Sequence, residues 1–117
     1  MVSNDFKNMR ARLNRYQVIE GRISWLTDRR RRYSDPEDLQ ELETRISNTN
    51  DQAKRVRSEI LDLINLLDNP KEIDVLTSYF LDGQPIDTIA DRLGHCKRHI
   101  QRLYSAGINH IIERSSD

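Results

Sequence analysis

A heptad seam in the middle of the chain is the feature that most limits its fold. Between residues 39 and 67, apolar or small side chains recur at alternating steps of three and four over about four heptads. That spacing places them along one side of a helix, so the seam must pack against a second helix. Thr49, Asn50 and the small Ala53 weaken its middle. The members of the seam are Leu39, Leu42, Ile46, Thr49, Ala53, Val56, Ile60, Leu63 and Leu67.

The segment before the seam is expected to supply the partner helix. Its apolar side chains also recur at steps of three and four, which predicts an amphipathic helix about 45 Å long if about thirty residues are helical. Asp35 and Pro36 interrupt it, because proline disfavours the α conformation of the preceding residue and suits the first turn of a new helix. This short connection predicts an antiparallel hairpin. The stripe comprises Phe6, Met9, Leu13, Tyr16, Ile19, Ile23, Leu26 and Tyr33.

Composition favours an all-α fold, and the charges are unevenly distributed. Hydrophobic residues make up 36% of the 117 residues and charged residues 32%, which is typical of long, solvent-exposed helices. Net charge is zero, which argues against a large basic face. Residues 7–32 carry nine basic and two acidic side chains, and residues 35–51 carry six acidic and one basic. The arginines at 29–32 are therefore expected to pair with Asp35, Glu37, Asp38 and Glu41 beside the turn, with a grip on a DNA backbone as the alternative.

Several classes of protein are disfavoured by what the sequence lacks. No stretch approaches the roughly 18 apolar residues that span a bilayer, and the N-terminus has no signal-peptide pattern, so a cytoplasmic protein without membrane contact is expected. No phosphate loop, activated nucleophile or paired acids appear, so neither an enzyme nor a cofactor is expected. His95, Cys96 and His99 lie close together, but zinc normally takes four ligands and no convincing fourth is present. No metal site is predicted.

The C-terminal third is divided by proline and glycine into three shorter helices. Pro70 can open a helix that runs to about residue 81, and Gly83 can end it in the left-handed conformation. Pro85 then precedes a helix over residues 86–93, and Gly94 begins the turn into a last helix over residues 96–114. We therefore predict two domains. Residues 1–68 form a helical hairpin for dimerisation or partner contact, and residues 69–117 form a compact three-helix DNA-binding module.

Residues 89–103 have the internal spacing of a helix-turn-helix. Ala90 must be small because the second helix crosses close above it, and Gly94 can supply the positive φ of the tight turn. Four apolar residues are expected to fill the wedge between the two helices and to fix a nearly perpendicular crossing. They are Ile89, Leu93, Ile100 and Leu103. A helical hairpin that only packs, with its cations on a solvated face, is the plainer alternative.

The second helix of this motif carries the expected DNA-binding residues. Arg98 and Arg102 suit bidentate bonds to guanine and Gln101 suits adenine, each worth roughly 1 to 3 kcal/mol of discrimination. Lys97 and His99 are expected near phosphate. On the preceding helix, Thr88 and Arg92 are candidates for contacts with the DNA backbone. The full predicted set is Lys97, Arg98, Gln101, Arg102, Thr88, Arg92 and His99.

This combination of motifs resembles known DNA-binding regulators. Residues 81–83, Ile89-Ala90, Leu93-Gly94 and the basic helix to residue 103 look like the fourth region of bacterial sigma factors. With residues 73–80 and the helical segment upstream, residues 60–112 resemble the ArpU and RinA-type regulators of phages and mobile elements in Gram-positive bacteria. The resemblance implies a transcription activator of late or packaging genes. Pro85, Thr88 and Cys96 depart from the residues usual in these modules.

The sequence thus predicts a sequence-specific regulator that binds double-stranded DNA. A homodimer through the long helices is expected because Leu61, Ile64 and Leu66 lie off the internal seam, unless they cover the C-terminal module instead. RNA polymerase is a further possible partner. The alternatives are a protein-interaction factor, such as an inhibitor or antirepressor that uses the hairpin, and a recognition subunit for DNA packaging.

Overall fold

The computed structural model describes residues 4–115, which form six helices and no strand. The fold is therefore all-α, as the sequence predicts. The helices are α1 (Asn4–Leu13), α2 (Arg15–Arg30), α3 (Pro36–Ile64), α4 (Pro70–Phe80), α5 (Ile86–Leu93) and α6 (Lys97–Ser115). None of the helices in this part of the chain is long and apolar enough to cross a membrane.

The N-terminal segment is two consecutive helices, so the prediction of one uninterrupted helix was wrong. Asn14 separates α1 from α2, and the bond from the Val18 N–H to its carbonyl is long, at 3.3 Å. Asparagine is a poor residue inside a helix because its amide competes for backbone hydrogen bonds. The two helices also have different neighbours, because α1 packs on α6 whereas α2 packs on α3. The break therefore allows the N-terminal segment to pack against both α6 and α3.

Helices α2 and α3 form the most extensive helix contact and run antiparallel. Ion pairs link Arg15 to Glu59 and Arg30 to Glu43, which fixes both the direction and the register. The Asp35 carboxylate accepts a hydrogen bond from the Glu37 N–H and caps α3. Burial of the seam increases along α3. Leu39, Leu42, Ile46 and Thr49 are half-buried, whereas Ala53, Val56, Ile60 and Leu63 are buried. Leu67, the last residue of the predicted seam, is also buried but lies beyond the end of α3.

The arginine run at 29–32 does not pair as expected. Arg30 binds Glu43, whereas Glu41 binds Arg45 within α3. None of the four expected carboxylates pairs with this run within residues 4–115. Arg29 is engaged elsewhere, because its guanidinium lies over the Trp25 ring and donates to the Tyr33 hydroxyl.

The three C-terminal helices begin and end where proline, asparagine and glycine predict. The Asn69 side chain accepts a hydrogen bond from the Lys71 N–H at 2.9 Å and caps α4. Gly83 and Gly94 adopt the left-handed conformation, with φ of 70° and 68°. The left-handed conformations expected of these two glycines are confirmed.

The main hydrophobic cluster joins the N-terminal and C-terminal halves. It contains Met9 and Leu13 of α1, Ile64 of α3 and Ile108 of α6. Ile64 is fully buried and Leu61 packs against this cluster, which leaves only Leu66 exposed of the three residues on which the homodimer expectation was based. The other option, that these residues cover C-terminal helices, holds for Ile64 and Leu61.

Candidate nucleic-acid interface

A second, smaller cluster fixes α6 against α5. Ile89 and Ile100 are fully buried, and Ala90 is buried between the two helices. The Ala90 carbonyl also accepts a hydrogen bond from the His95 N–H at 3.0 Å, which closes the turn at the left-handed Gly94. Leu93 and Leu103 are half-buried against the same cluster. The predicted wedge residues therefore lie together, and the N-terminal half of α6 is held by packing on one side only.

The other side of α6 presents the predicted base-reading residues to solvent. Lys97, Arg98, Gln101 and Arg102 are all exposed. Lys97 forms an ion pair with Asp87 at 3.4 Å. Within residues 4–115, Arg98, Gln101 and Arg102 have no ion pair or side-chain hydrogen bond. Two guanidinium groups one helical turn apart are thus available to an anionic or acceptor-rich ligand.

The two candidates on α5 differ in their surroundings. Thr88 is exposed. The Arg92 guanidinium donates to Asp74 at 2.9 Å and to the Ser78 hydroxyl at 2.6 Å, both on α4. The bond from Arg92 lowers the pKa of the Asp74 carboxyl below its ordinary value. Arg92 therefore joins α5 to α4, and its donors are largely occupied.

A basic concave surface lies between the first turn of α4 and the start of α6. Its volume is about 530 Å³. It brings Arg98, Arg102 and His99 together with Lys71 and His95, neither of which was among the predicted DNA-binding residues. The rings of His95 and His99 lie 4.6 Å apart between centroids. Among the described residues no carboxylate lines this surface, and Lys97 and Gln101 lie outside it. The lining residues are Lys71, Gly94, His95, Cys96, Arg98, His99 and Arg102.

A contact between His110 and the buried Glu72, together with a close helix contact, holds α4 and Lys71 beside α6. The His110 Nδ1 atom lies 2.8 Å from the carboxylate of Glu72, a residue only 4% exposed. Further along, Gly107 lies so close to α4 that a Cβ atom there would be 2.9 Å from Leu76. Glu72 adjoins Lys71 in sequence, so this contact sets the position of Lys71. His110 and Glu72 are 38 positions apart, so no local sequence pattern indicates that they pair.

The arrangement suits a ligand that presents oxygen acceptors. Guanidinium and ammonium groups donate to phosphate and to the guanine edge. Residues 4–115 contain no group of three or more histidine, cysteine, aspartate or glutamate side chains placed to hold a metal ion. Comparison with protein-family models, curated proteins and solved structures finds no match to the chain.

Proposed function

We propose that this protein is a sequence-specific DNA-binding transcription regulator whose α5 and α6 act as a helix-turn-helix. The observation that carries the proposal is the state of Arg98 and Arg102. Both are exposed, neither has an intramolecular partner within residues 4–115, and both project from a helix whose opposite side is fixed by Ile100. Residues that recognise a ligand are positioned more precisely on a packed helix than on a loop, and α6 provides such a position.

In the proposed complex, the N-terminal half of α6 enters the major groove. The groove is about 12 Å wide and admits one helix. Arg98 and Arg102 bond to guanine and Gln101 to adenine, while Lys71, Lys97 and His99 bind phosphate. Thr88 contacts the backbone from α5. Arg92 acts as a positioning residue through Asp74, because its donors are already engaged there.

The biological setting belongs to the same proposal. The resemblance of residues 60–112 to ArpU and RinA-type regulators supports an activator encoded by a phage or mobile element. Because the net charge is zero, a single copy offers little non-specific attraction to DNA. We therefore include in the proposal a second contact, either a second copy of the chain or RNA polymerase, that raises the affinity at a promoter.

One observation favours a second candidate function, that of a protein-interaction factor. Trp25 on α2 is 57% exposed, although large aromatic side chains are usually buried unless a partner covers them. A protein-interaction factor that does not bind DNA would not need unpaired arginines on α6. The two functions therefore make different predictions for DNA binding.

The experiment is selection of preferred duplexes from a random library, followed by fluorescence anisotropy with the selected sequence. The variant is Arg98→Ala with Arg102→Ala. We expect its affinity to fall by at least about thirtyfold, since each arginine contributes roughly 1 to 3 kcal/mol. Lys54→Ala with Arg55→Ala is the matched control, because it removes the same charge from exposed positions on α3.

Two results would overturn the proposal. One is a selection that yields no preferred sequence. The other is an equal loss of affinity in the α6 variant and the α3 control, which would mean that only net charge matters.

A further inference from the structure

Helix α2 exposes a stripe that intramolecular packing does not use. Val18 and Trp25 are the most exposed of the large apolar residues that the structure describes, at 55% and 57%. Arg22 and Arg29 share their face, because positions 18, 22, 25 and 29 follow helical steps of four, three and four. We call Val18, Arg22, Trp25 and Arg29 the α2 stripe. Single exposed apolar residues are ordinary, but two on one face with cations between them form a patch.

The stripe is held in a fixed geometry before any partner binds. The Arg29 guanidinium carbon lies 4.7 Å from the centre of the Trp25 ring, and Arg29 also donates to the Tyr33 hydroxyl at 3.0 Å. A shallow cavity of about 240 Å³ lies beside the ring, between α2 and α3. Side chains that are already ordered lose less entropy on binding, so this part of the stripe is preorganised for a contact.

Gly21 is an independent sign of a close approach at this face. It is adjacent to Val18 and Trp25 on the helix surface, at steps of three and four. A Cβ atom there would meet nothing within 4 Å, and its φ is not positive. Glycine inside a helix costs about 0.5 to 1 kcal/mol relative to alanine. No contact within residues 4–115 requires a glycine here, and the open space would let the backbone of a partner approach closely.

The charge of the stripe defines the partner. Arg22 is exposed and has no ion pair within residues 4–115. Both charges of the stripe are positive. Asp38 and Glu41 of α3 also line the cavity beside Trp25, and Glu41 is already paired with Arg45. We propose that the α2 stripe is a docking surface for an acidic amphipathic helix of another protein. Apolar side chains of that helix cover Val18 and Trp25, and its carboxylates pair with Arg22 and Arg29.

A second copy of this chain fits the stripe poorly. Within residues 4–115, the large apolar side chains left exposed are Val18, Trp25, Tyr33 and Leu66, so α3 offers no apolar stripe of its own. Two of the carboxylates on α3 are already used, since Glu41 binds Arg45 and Glu43 binds Arg30. Two α2 stripes facing each other would bring four arginines into one interface, where like charges repel.

Nucleic acid is also a poorer occupant than an acidic helix. Sequence-independent binding of single strands relies on bases that stack on open aromatic faces. The Arg29 guanidinium already covers one face of Trp25. Val18 offers a base neither stacking nor a hydrogen bond, but it suits an apolar side chain of a helix.

The fluorescence of Trp25 reports binding at the α2 stripe directly, because it is the sole tryptophan of the chain. The probe is a synthetic, stapled helical peptide without tryptophan, with leucines two turns apart and glutamates on both flanks. Glutamine and lysine versions serve as matched peptides. We expect the glutamate peptide to shift the Trp25 emission to shorter wavelength and to saturate, because it removes the ring from water. The lysine peptide should bind at least about tenfold more weakly.

Variants of the full chain distinguish this proposal from non-specific binding of the peptide. Arg22→Glu should weaken the glutamate peptide about tenfold and strengthen the lysine peptide, and Val18→Ser should weaken the glutamate peptide. Leu66→Ser, at an exposed apolar residue outside the stripe, should have no effect. Circular dichroism and DNA binding of Arg22→Glu should match the parent, so that failure here is distinguishable from failure of the proposed function.

Three outcomes would overturn the proposal. The first is equal affinity for the glutamate, glutamine and lysine peptides, or no saturable shift. The second is a shift of Trp25 emission with protein concentration alone, which would assign the stripe to a second copy. The third is a saturable response to a single-stranded oligonucleotide in place of the peptide, which would assign it to nucleic acid.

Discussion

Tyr104 shows how packing around α6 changes the chemistry of a single residue. Its ring lies edge-on to Tyr79 at 5.1 Å and stacks on Phe80 at 5.6 Å, so that its phenol is partly removed from water. Burial raises the pKa of Tyr104 from 10.0 to about 12, since the charged phenolate is poorly solvated there. The folded protein therefore keeps a proton that the unfolded chain releases.

Alkaline pH is expected to destabilise the protein through this residue. The contribution of the neutral phenol is fully present below pH 10.0 and is lost as the pH rises towards about 12. Urea unfolding at about pH 9 and about pH 11 measures the loss. Tyr104→Phe removes the ionisable group, so its stability should decrease less over this interval. Equal decreases in parent and variant would contradict the assignment.

At the scale of elements, the contact between α4 and α6 depends on an absent side chain. Gly107 is buried, and Leu76 of α4 occupies the space that a Cβ atom would need. Because Leu76 is itself fully buried, it cannot move without disturbing the main cluster. Gly21 is the opposite case, with open space around the same position.

These two glycines form a matched pair for substitution by alanine. Gly107→Ala is expected to destabilise the protein by about 1 to 2 kcal/mol, because overpacking exceeds the gain in helix propensity. Gly21→Ala should stabilise it by about 0.5 to 1 kcal/mol. Chemical denaturation measures both. A stabilised Gly107→Ala variant would show that Leu76 adjusts freely and that α4 and α6 are less tightly packed than described.

Local patterns predict the helices better than they predict how the helices meet. Ala90, Gly94 and Ile100 specify the turn between α5 and α6 because their requirements are steric and lie within one short segment. The sequence did not predict the break at Asn14, because the apolar stripe continues across it. The segment divides there because α1 packs on α6 whereas α2 packs on α3. The pairing of Glu72 with His110 depends on that packing and has no local signal.

For the whole molecule, the distribution of charge matters more than its sum. Net charge is zero, yet the basic concave surface contains Lys71, Arg98 and Arg102, and none of its lining residues within 4–115 is a carboxylate. The two arginines were predicted from the sequence, whereas Lys71 was not. Lys71 joins them only because α4 packs across α6. Any affinity for DNA should therefore come from a few local contacts and not from the overall field.

If the proposed function holds, the salt dependence of DNA affinity measures how many local phosphate contacts the protein makes. In the proposed complex Lys71 and Lys97 neutralise about two phosphates between them, so the logarithm of affinity should fall with the logarithm of salt concentration with a slope of about −2. Lys71→Ala should make the slope shallower by about 1 without changing the preferred sequence, because phosphate contacts carry no base information. Lys54→Ala, on the exposed surface of α3, removes the same charge and should leave the slope unchanged. Equal slopes for the parent and Lys71→Ala would exclude the basic concave surface from the interface, even if Arg98 and Arg102 read the bases.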